Sequence, residues 1–334
     1  MQRSKFISVV LLNYNHANFL ERSIEAIISQ SLKPYELIIA DDASSDSSFK
    51  VIKKYVRKYK WITLKQNSRN LGVCENTNSS LDFIKSEYAI FAAADDFLQS
   101  DWIERSENHI QNNKNIGLVA SPAYAYSAKD KKEYDFYSSL FIDFKVKRIS
   151  PDKFENYVTK YGMFFKGATS VYNLNLFKKY GGYIKQLGSY ADTVVAYRCG
   201  ATGGCIFDPL PGASCERSSS GFASSSMRSL DSIEEIISYL LLIKEEISSF
   251  NYTLLVTPLI TRLLWVSYSR QLLIKKDSII LNPPDLKTFS YIINIFIILS
   301  KKWEYPFFKK IFGFFMKKVN KFVFVKRNHK KLPF

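Results

Sequence analysis

The chain has few of the residues that build zinc sites and disulfide frameworks. Its 334 residues include four cysteines and three histidines, and no two cysteines have CxxC spacing. The histidines, His16, His109 and His329, lie far apart in the sequence. Structural zinc sites draw closely spaced Cys and His ligands, and disulfide frameworks are typical of much shorter secreted chains. The sequence therefore predicts neither.

A glycine-rich turn is missing where a dinucleotide-binding protein needs one. The first apolar run, Phe6–Leu12, is followed by Asn13–His16, which contains no glycine. A nicotinamide-dependent Rossmann enzyme needs glycines there so that the backbone can approach the pyrophosphate closely. A sugar nucleotidyltransferase should carry a glycine-rich, basic loop near the N-terminus, and none is present. The sequence argues against both classes.

Long apolar segments are scarce, and the first residues do not resemble a signal peptide. Residues 1–5 lead into a short apolar run that becomes polar at Asn13. The segment 254–273 contains one proline and two arginines, and 289–299 has only 11 residues. A membrane-spanning helix needs about 20 apolar residues. We therefore expect a protein of the reducing cytoplasm without a membrane-spanning helix.

Positive charge is concentrated at one end of the chain. The net charge is +16, and residues 301–334 hold eleven basic residues and one acidic residue. The other 300 residues carry 36 bases and 30 acids, a net charge of +6. Aromatic clusters alternate with lysine pairs in the tail, which fits an amphipathic helix on an anionic membrane surface. A packing helix with solvated lysines is the alternative, and nucleic acid is not an expected partner.

The first 120 residues alternate between strand and helix patterns. Asn18, with Glu21 at capping-box spacing, predicts the start of the first helix. The predicted strands are Phe6–Leu12, Glu36–Ala40, Trp61–Leu64 and Tyr88–Ala92, and a third helix is predicted over Asn76–Ile84. Helical segments between short buried strands predict βαβ units and a parallel sheet. Ligands bind at the carboxyl ends of the strands in such sheets.

The pattern is less regular after about residue 120. It predicts a strand within 166–172, a helix over 192–198, a strand at 203–207 and a polar, serine-rich loop over 215–226. From residue 229 onward the periodicity predicts helices. We expect a catalytic domain over 1–228, a helical extension over 229–300 and a basic aromatic tail over 301–334.

Two pairs of adjacent aspartates follow predicted strands, Asp41-Asp42 and Asp95-Asp96. Two carboxylates ~4–5 Å apart repel by roughly 4 kcal/mol at an effective dielectric near 20. Mg²⁺ or Mn²⁺ bound to Asp95-Asp96 would remove that repulsion and could bridge to substrate phosphates. A helix cap beside a solvent-facing carboxylate explains the same pair equally well.

Other polar residues also permit two interpretations. Asn13 and Asn15 after the first strand, and Asp41-Asp42 after the second, have donors and acceptors that suit a nucleobase edge, and Tyr14 offers a flat face. Ordinary Asx-turn and N-cap chemistry is nevertheless the favoured explanation on spacing alone. Asp192, at the start of a predicted helix, could be a general base or a first-turn residue stabilised by the helix dipole.

Taken in order, these segments resemble the inverting family-2 glycosyltransferases with the GT-A fold. The resemblance covers about residues 4–225 and implies a Rossmann-like, mostly parallel α/β sheet flanked by helices. It is carried by Val9–Asn15, Gln30, Leu37–Asp46, Asn67–Val73, Asn78 and Ala94–Asp96, and more weakly by Gly181-Gly182, Asp192 and Arg217. The ordered N-terminal pattern is the specific part.

The resemblance implies a donor site built from several loops. Residues that would hold the nucleotide base and ribose are Leu12, Asn13, Tyr14, Asp42, Arg69 and Asn70. Asp96, together with Asp95, would ligate Mn²⁺ or Mg²⁺ on the donor diphosphate. Asp192 would deprotonate the acceptor hydroxyl, and Arg217 would close over the diphosphate from its serine-rich loop.

One position departs from the family pattern. Many members have Asp-x-Asp, but this chain has an alanine where the first of those aspartates would fall. Ala-Asp-Asp variants resemble active members, and Mg²⁺ and Mn²⁺ tolerate sites with few carboxylates. We expect an active enzyme that uses a UDP-sugar in preference to other donors.

The basic tail suggests the biological setting. A cytoplasmic transferase held at the inner face of the membrane could act on a lipid-linked saccharide acceptor, as in O-antigen or capsule synthesis. The alternative is a non-catalytic nucleotide-sugar-binding or membrane-binding protein of the same fold.

Overall fold

The computed structural model describes residues 2–127, 132–135, 145–161, 167–216, 235–236, 238–240 and 242–243. The chain divides into two units, residues 1–257 and 258–334, and every described residue lies in the first. The predicted boundaries at 228 and 300, and the tail over 301–334, lie outside the described residues.

The described strands form two sheets. In chain order they are β1 Ile7–Asn13, β2 Leu37–Asp41, β3 Ile62–Gln66, β4 Tyr88–Ala93, β5 Phe97–Leu98, β6 Leu118–Ala120, β7 Ala123–Ser127, β8 Lys132–Asp135, β9 Lys147–Ile149, β10 Ser170–Asn173, β11 Cys205–Phe207 and β12 Ala213–Glu216. The larger sheet has the order β3-β2-β1-β4-β10-β6-β11-β9, and the smaller has the order β5-β12-β7-β8.

The described helices connect these strands. They are α1 Ala17–Ile28, α2 Ser48–Lys58, α3 Val73–Asn78, α4 Trp102–Gln111, α5 Pro151–Tyr161, α6 Leu174–Lys179 and α7 Ala191–Gly203, with short 3-10 turns at Leu81–Phe83, Gly167–Thr169 and Lys185–Tyr190. No helix among these described residues combines the length and the apolar character needed to cross a membrane. All four cysteines have free thiols.

The predicted mostly parallel sheet is confirmed. In the larger sheet β10 and β9 run opposite to the other six strands. All residues of β1 and β2 are buried, as expected for strands covered on both faces. Each fully buried Leu or Ile side chain stabilises the fold by about 1.5–3 kcal/mol.

The order of the first four strands creates a crevice. The chain builds β1, β2 and β3 outward in one direction and then returns to place β4 on the other side of β1. This reversal is a topological switch point, where open α/β sheets bind ligands beyond the carboxyl ends of the strands. Both aspartate pairs lie at these ends.

The start of α1 differs from the prediction at Asn18. The helix begins at Ala17, and His16 occupies the N-cap position without a side-chain capping bond. Asp46, from the loop before α2, instead accepts a hydrogen bond from Ala17 N at 2.9 Å. The missing cap is supplied across 29 residues, which a local capping pattern cannot reveal.

Two further boundaries differ from the predictions. The third helix, α3, is shorter and begins earlier than predicted, and a 3-10 turn over Leu81–Phe83 follows it. Cys215 and Glu216 belong to β12 rather than to a serine-rich loop, because this strand pairs with β5 and β7. The smaller sheet has no counterpart among the sequence predictions.

Candidate functional site

Asn13 and Asp41 form the floor of the crevice at the ends of neighbouring strands. They are paired in register across β1 and β2, and both are buried. Asn13 Nδ2 donates to Asp41 Oδ1 at 2.7 Å and lies 3.0 Å from Ser44 Oγ. Ser44 also donates its hydroxyl to Asp41 Oδ1 at 2.6 Å. Asp41 therefore has a structural role, consistent with the Asx-turn interpretation.

Asp42 shapes the loop that carries Arg69 and Asn70. Its carboxylate is buried and accepts the backbone N–H groups of Leu71 at 2.9 Å and Gly72 at 2.8 Å. Asn67 Nδ2 donates to the same carboxylate at 2.7 Å. Such bonds to a charged acceptor each stabilise by about 1.5–3 kcal/mol. Asp42 thus holds the loop in place from below.

Three exposed residues, Arg69, Asn70 and Tyr14, lie on or near the loop held by Asp42. Arg69 and Asn70 are exposed, and Asn70 Oδ1 accepts the N–H of Gly72 at 2.9 Å. Tyr14 is 44% exposed, which leaves its ring available for stacking on a flat ligand. Leu12 is buried near the end of β1. These residues offer a flat ring, a cation and amide groups at one rim of the crevice.

A buried lysine supports the same loop and is not identified by the sequence pattern. Lys65 Nζ donates to Asn67 Oδ1 at 2.6 Å and to Asn76 Oδ1 at 3.1 Å. Burial lowers the pKa of Lys65, and the charge of Asp42 acts in the opposite direction. Since lysine is rarely buried without partners, these contacts explain its position. Lys65 belongs to β3, where its burial depends on the later helix α3.

The second aspartate pair lies on the opposite side of β1. Leu12 pairs with Ala40 of β2 and with Ala93 of β4, so the two pairs flank the end of β1. Two strand spacings separate β2 from β4, which is about 10 Å. The pairs therefore belong to one crevice but do not repel each other at contact distance.

The acidic turn, which consists of Ala94–Asp96, is held by α1. Ser23 Oγ lies 2.7 Å from the carbonyl oxygen of Ala94 and 2.5 Å from that of Asp96, which share its single proton. Ala94 N donates to Leu12 O at 2.9 Å. The Asp95 side chain is 18% exposed, with its Oδ1 4.0 Å from His16 Nδ1. Asp96 Oδ1 accepts the backbone N–H of Glu216 at 3.1 Å.

The acidic turn has a donor set that fits a divalent cation. Mg²⁺ is commonly held by one or two carboxylates together with substrate phosphates and water. Asp95 and Asp96 offer two adjacent carboxylates, and the bond from Glu216 N orients one of them in the manner of an outer-shell partner. Within the described residues there is no group of three His, Cys, Asp or Glu side chains that could hold a metal. A cation at this turn would therefore need ligands beyond the two carboxylates, such as phosphate or water.

Asp192 lies in the first turn of α7, confirming the helix predicted there. It is half-buried, and its Oδ1 accepts the N–H of Thr193 at 2.6 Å. Its other oxygen faces Gly167: a Cβ atom at Gly167 would lie 3.9 Å from Asp192 Oδ2 and 3.7 Å from the Tyr183 hydroxyl. The 3-10 turn that begins at Gly167 contacts β4, β5 and β12. Asp192 and the acidic turn therefore lie around the same 3-10 turn.

Tyrosines and a thiol surround Asp192. Burial raises the pKa of Tyr190 to about 12, and the charge of Asp192 contributes to the shift. Burial, again with the Asp192 charge, raises the pKa of Cys74 to about 12 and the pKa of Tyr172 and Tyr183 further. These groups stay protonated at neutral pH. The Asp192 carboxylate therefore lies among neutral hydroxyls and a neutral thiol.

The structure brings most of the predicted site residues to one edge of the larger sheet. Leu12, Asn13, Tyr14, Asp42, Arg69 and Asn70 lie on one side, and Asp95 and Asp96 lie across β1. Arg217 lies outside the described residues. Sequence reasoning missed Ser23, Arg22 and Glu216, because each acts through a partner distant in the chain. It also missed Lys65, because a lysine in a short strand gives no sign that it is buried.

Comparison with known proteins gives a consistent result. The family model described as glycosyl transferase family 2 matches residues 8–173. A cholesterol galactosyltransferase of Borreliella burgdorferi is 30% identical over 151 residues, which cover 45% of this chain and 38% of that protein. A poly(ribitol-phosphate) beta-N-acetylglucosaminyltransferase of Staphylococcus aureus, TarP, is 36% identical over 119 residues, 34% of this chain and 36% of that protein. The match spans only about a third to a half of these curated relatives.

Solved structures have the same fold at low sequence identity. S. aureus TarS 1-349 in complex with UDP-GlcNAc has a TM-score of 0.59 and 14% identity, covering 81% of this chain and 76% of that one. The mannosyltransferase PcManGT from Pyrobaculum calidifontis, in complex with GDP-Man and Mn²⁺, has a TM-score of 0.53 and 15% identity. The match covers 98% of this chain and 89% of the PcManGT chain.

Proposed function

Since this chain belongs to glycosyl transferase family 2 and has the GT-A fold, we propose that it transfers a sugar from a nucleoside-diphosphate sugar to an acceptor hydroxyl with inversion. The observation that supports this proposal is the arrangement around the crevice. The Asp42-anchored loop and the acidic turn flank the end of β1, and Asp192 lies beside the Gly167 turn that contacts β4.

The donor would lie across the ends of β1, β2 and β4. Its base would stack on Tyr14 near Asn13 and the loop held by Asp42, and its ribose would lie near Arg69 and Asn70. Its diphosphate would then reach Asp95 and Asp96, about 10 Å away across two strand spacings. A UDP-sugar is the favoured donor. TarS has been crystallised with UDP-GlcNAc and PcManGT with GDP-Man, so both nucleotides belong in the test.

Transfer would be a single displacement at the anomeric carbon. Asp192 accepts the proton of the acceptor hydroxyl as its oxygen bonds to that carbon, while the bond from the carbon to the phosphate oxygen breaks. The departing nucleoside diphosphate takes the bonding electrons. A divalent cation held by Asp96 and Asp95 would stabilise the negative charge that grows on this leaving group.

The experiment combines donor binding with product release. The full chain is mixed with UDP-, GDP- and dTDP-sugars with and without Mn²⁺, and thermal stability and nucleoside diphosphate release on adding acceptor saccharides are measured. A ligand that binds the folded state must raise the melting temperature. We expect Asp192→Asn to keep the donor-dependent shift but lose release, and Asp96→Ala to lose both.

Two results would contradict this function. Near-normal turnover in Asp192→Asn would refute the assignment of the base. Donor binding without release of nucleoside diphosphate, whichever acceptor saccharide is supplied, would instead favour the non-catalytic nucleotide-sugar-binding alternative. Asp82→Asn, which changes an exposed carboxylate on the 3-10 turn after α3, is the matched control.

The basic tail supports a membrane setting for the acceptor. Residues 301–334 carry eleven basic residues among aromatic clusters, a composition that binds anionic lipid surfaces. We propose that the acceptor is a lipid-linked saccharide of a surface polysaccharide such as O-antigen or capsule. Deleting 301–334 should abolish sedimentation with anionic vesicles. If sedimentation is unchanged, residues 254–299 and not the tail would attach the protein to the membrane.

A further inference from the structure

Arg22 joins the acidic turn to the end of β12. It projects from α1 and donates Nη2 to the backbone carbonyl of Asp95 at 2.6 Å. The same Nη2 lies 3.4 Å from Glu216 Oε2. The side chains of Arg22 and Glu216 are 30% and 7% exposed, so solvent screens this ion pair only partly.

Aromatic rings fix the position of the guanidinium. Its carbon lies 4.5 Å from the ring centre of Phe97 and 4.7 Å from that of Tyr126. These rings belong to β5 and β7 of the smaller sheet. A planar guanidinium can stack on rings and donate several hydrogen bonds at once, which the compact ammonium of lysine cannot reproduce.

Glu216 completes a closed set of contacts around the turn. Its carboxylate pairs with Arg22, and its backbone N–H donates to Asp96 Oδ1 at 3.1 Å. The Arg22 guanidinium in turn holds the carbonyl of Asp95. One residue of the acidic turn is thus held by its backbone and the next by its carboxylate, through two residues 194 positions apart.

We propose that Arg22 and Glu216 are positioning residues for the donor diphosphate and its cation, an inference that rests on the proposed function. Arg22 holds the acidic turn in the orientation that presents Asp95 and Asp96 to the crevice. Glu216 pairs with the positive charge of Arg22, which would otherwise oppose a divalent cation at the same turn. The pair thus sets the geometry of the turn while leaving its charge available to the cation.

The test measures how nucleotide binding depends on Mn²⁺. UDP and GDP are each added to the full chain at fixed concentration, Mn²⁺ is titrated, and the melting temperature is followed. Removing an outer-shell partner typically weakens metal affinity 10–100-fold. We expect Arg22→Gln and Glu216→Gln each to raise the half-saturating Mn²⁺ concentration at least about 10-fold. Arg57→Gln, on an exposed part of α2, should titrate as the wild type does.

A double variant distinguishes coupling from independent damage. Arg22→Gln with Glu216→Gln leaves neither charge unpaired, so its shift in half-saturating Mn²⁺ should be smaller than the product of the two single fold-changes. If Arg22→Gln fails to fold, Arg22→Lys and Glu216→Gln decide the question. Arg22→Lys should raise the half-saturating Mn²⁺ concentration less than Arg22→Gln does, because lysine keeps the positive charge. It should still raise it, because lysine lacks the fork of donors.

The possible failures can be told apart. Suppose that the wild type binds UDP or GDP with Mn²⁺ and that Asp96→Asn loses this dependence. If the Arg22 and Glu216 variants then have the same half-saturating Mn²⁺ concentration as the wild type, the positioning role alone is wrong. If the wild type shows no Mn²⁺-dependent binding of either nucleotide, both the positioning role and the proposed metal-assisted donor site are wrong. A lower melting temperature with unchanged half-saturation would indicate a purely structural role.

Discussion

Asn78 and Tyr183 exchange two hydrogen bonds across 105 residues of sequence. Asn78 Nδ2 donates to Tyr183 O at 2.8 Å, and Tyr183 N donates to Asn78 Oδ1 at 2.9 Å. Asn78 ends α3, which follows the Asn70 loop, and Tyr183 leads into the segment before Asp192. One side chain therefore links the proposed donor loop to the proposed base.

Asn78→Ala should uncouple these two parts of the site. The substitution leaves the backbone N–H and carbonyl of Tyr183 without their partner, at a cost of about 1–3 kcal/mol for each group that stays buried. We expect a lower kcat with little change in donor affinity, because Asp192 shifts while the Asp42 contacts remain. Steady-state kinetics and urea unfolding measure both effects. Asn175→Ala, at an exposed position of α6, should change neither.

Gly181 and Gly182 allow a comparison of backbone strain with steric overlap. Both have left-handed backbones, with φ of +79° and +64°, so alanine at either costs about 1–2 kcal/mol. A Cβ at Gly182 would also lie 2.2 Å from Asn78 Oδ1, whereas the nearest atom at Gly181 would be 4.0 Å away. Gly182→Ala should therefore cost about 1–3 kcal/mol more in the free energy of unfolding. If both variants lose the same free energy of unfolding in urea, the side chain of Asn78 must move away from the new Cβ at little cost.

Asp42→Asn tests whether the loop depends on a carboxylate. In one orientation the amide nitrogen would face the N–H of Gly72. In the other it would face the N–H of Leu71 and also lose the bond from Asn67. We expect a loss of about 1–3 kcal/mol in stability together with weaker nucleotide binding. Unfolding curves and nucleotide-dependent thermal shifts measure the two effects. If the Asp42→Asn variant binds nucleotide normally, the loop is not part of the donor site.

Asp208 predicts an acid-sensitive contribution to stability. Burial alone would raise the pKa of this carboxyl, but the hydrogen bond from His109 and the charge of Arg105, whose Nη1 lies 2.6 Å away, lower it overall. A depressed pKa in the folded state stabilises the protein above the unfolded value of about 3.9. That stability is lost as the pH falls through the folded pKa.

Asp208→Asn should therefore destabilise the protein by about 3 kcal/mol at pH 7, because Arg105 loses a buried partner. The difference from the wild type should shrink as the pH falls below about 4, where the unfolded state takes up the proton first, and should level off once Asp208 is protonated in the folded state as well. Urea unfolding at several pH values measures this difference. A constant difference between pH 7 and pH 3 would refute the charge-based explanation, and Asp82→Asn serves as the exposed control.

Much of the fold was predictable because its signals are local. The apolar runs ending at Leu12 and Ala40 are too short for spanning helices and match β1 and β2 closely. The short pieces were harder to predict. β5 has two residues and exists only because β12 pairs with it, so no local pattern marks it.

The sequence by itself determined which strands end at or just before Asn13, Asp42 and Asp95-Asp96, because periodicity and polar strand ends are local properties. It left open whether each aspartate is structural. The tertiary structure decided that Asp41 and Asp42 are bonded within the protein, since their partners Gln66, Leu71 and Gly72 come from elsewhere in the chain.

Only the tertiary structure decided the pairings between Arg22 and Glu216 and between Asn78 and Tyr183. Each depends on how distant elements pack, and packing follows from burial summed over the whole core. Charges and amides placed by such packing leave no periodic trace in a sequence. The chain thus specifies its strand ends locally, whereas the contacts that orient them arise when distant elements pack together.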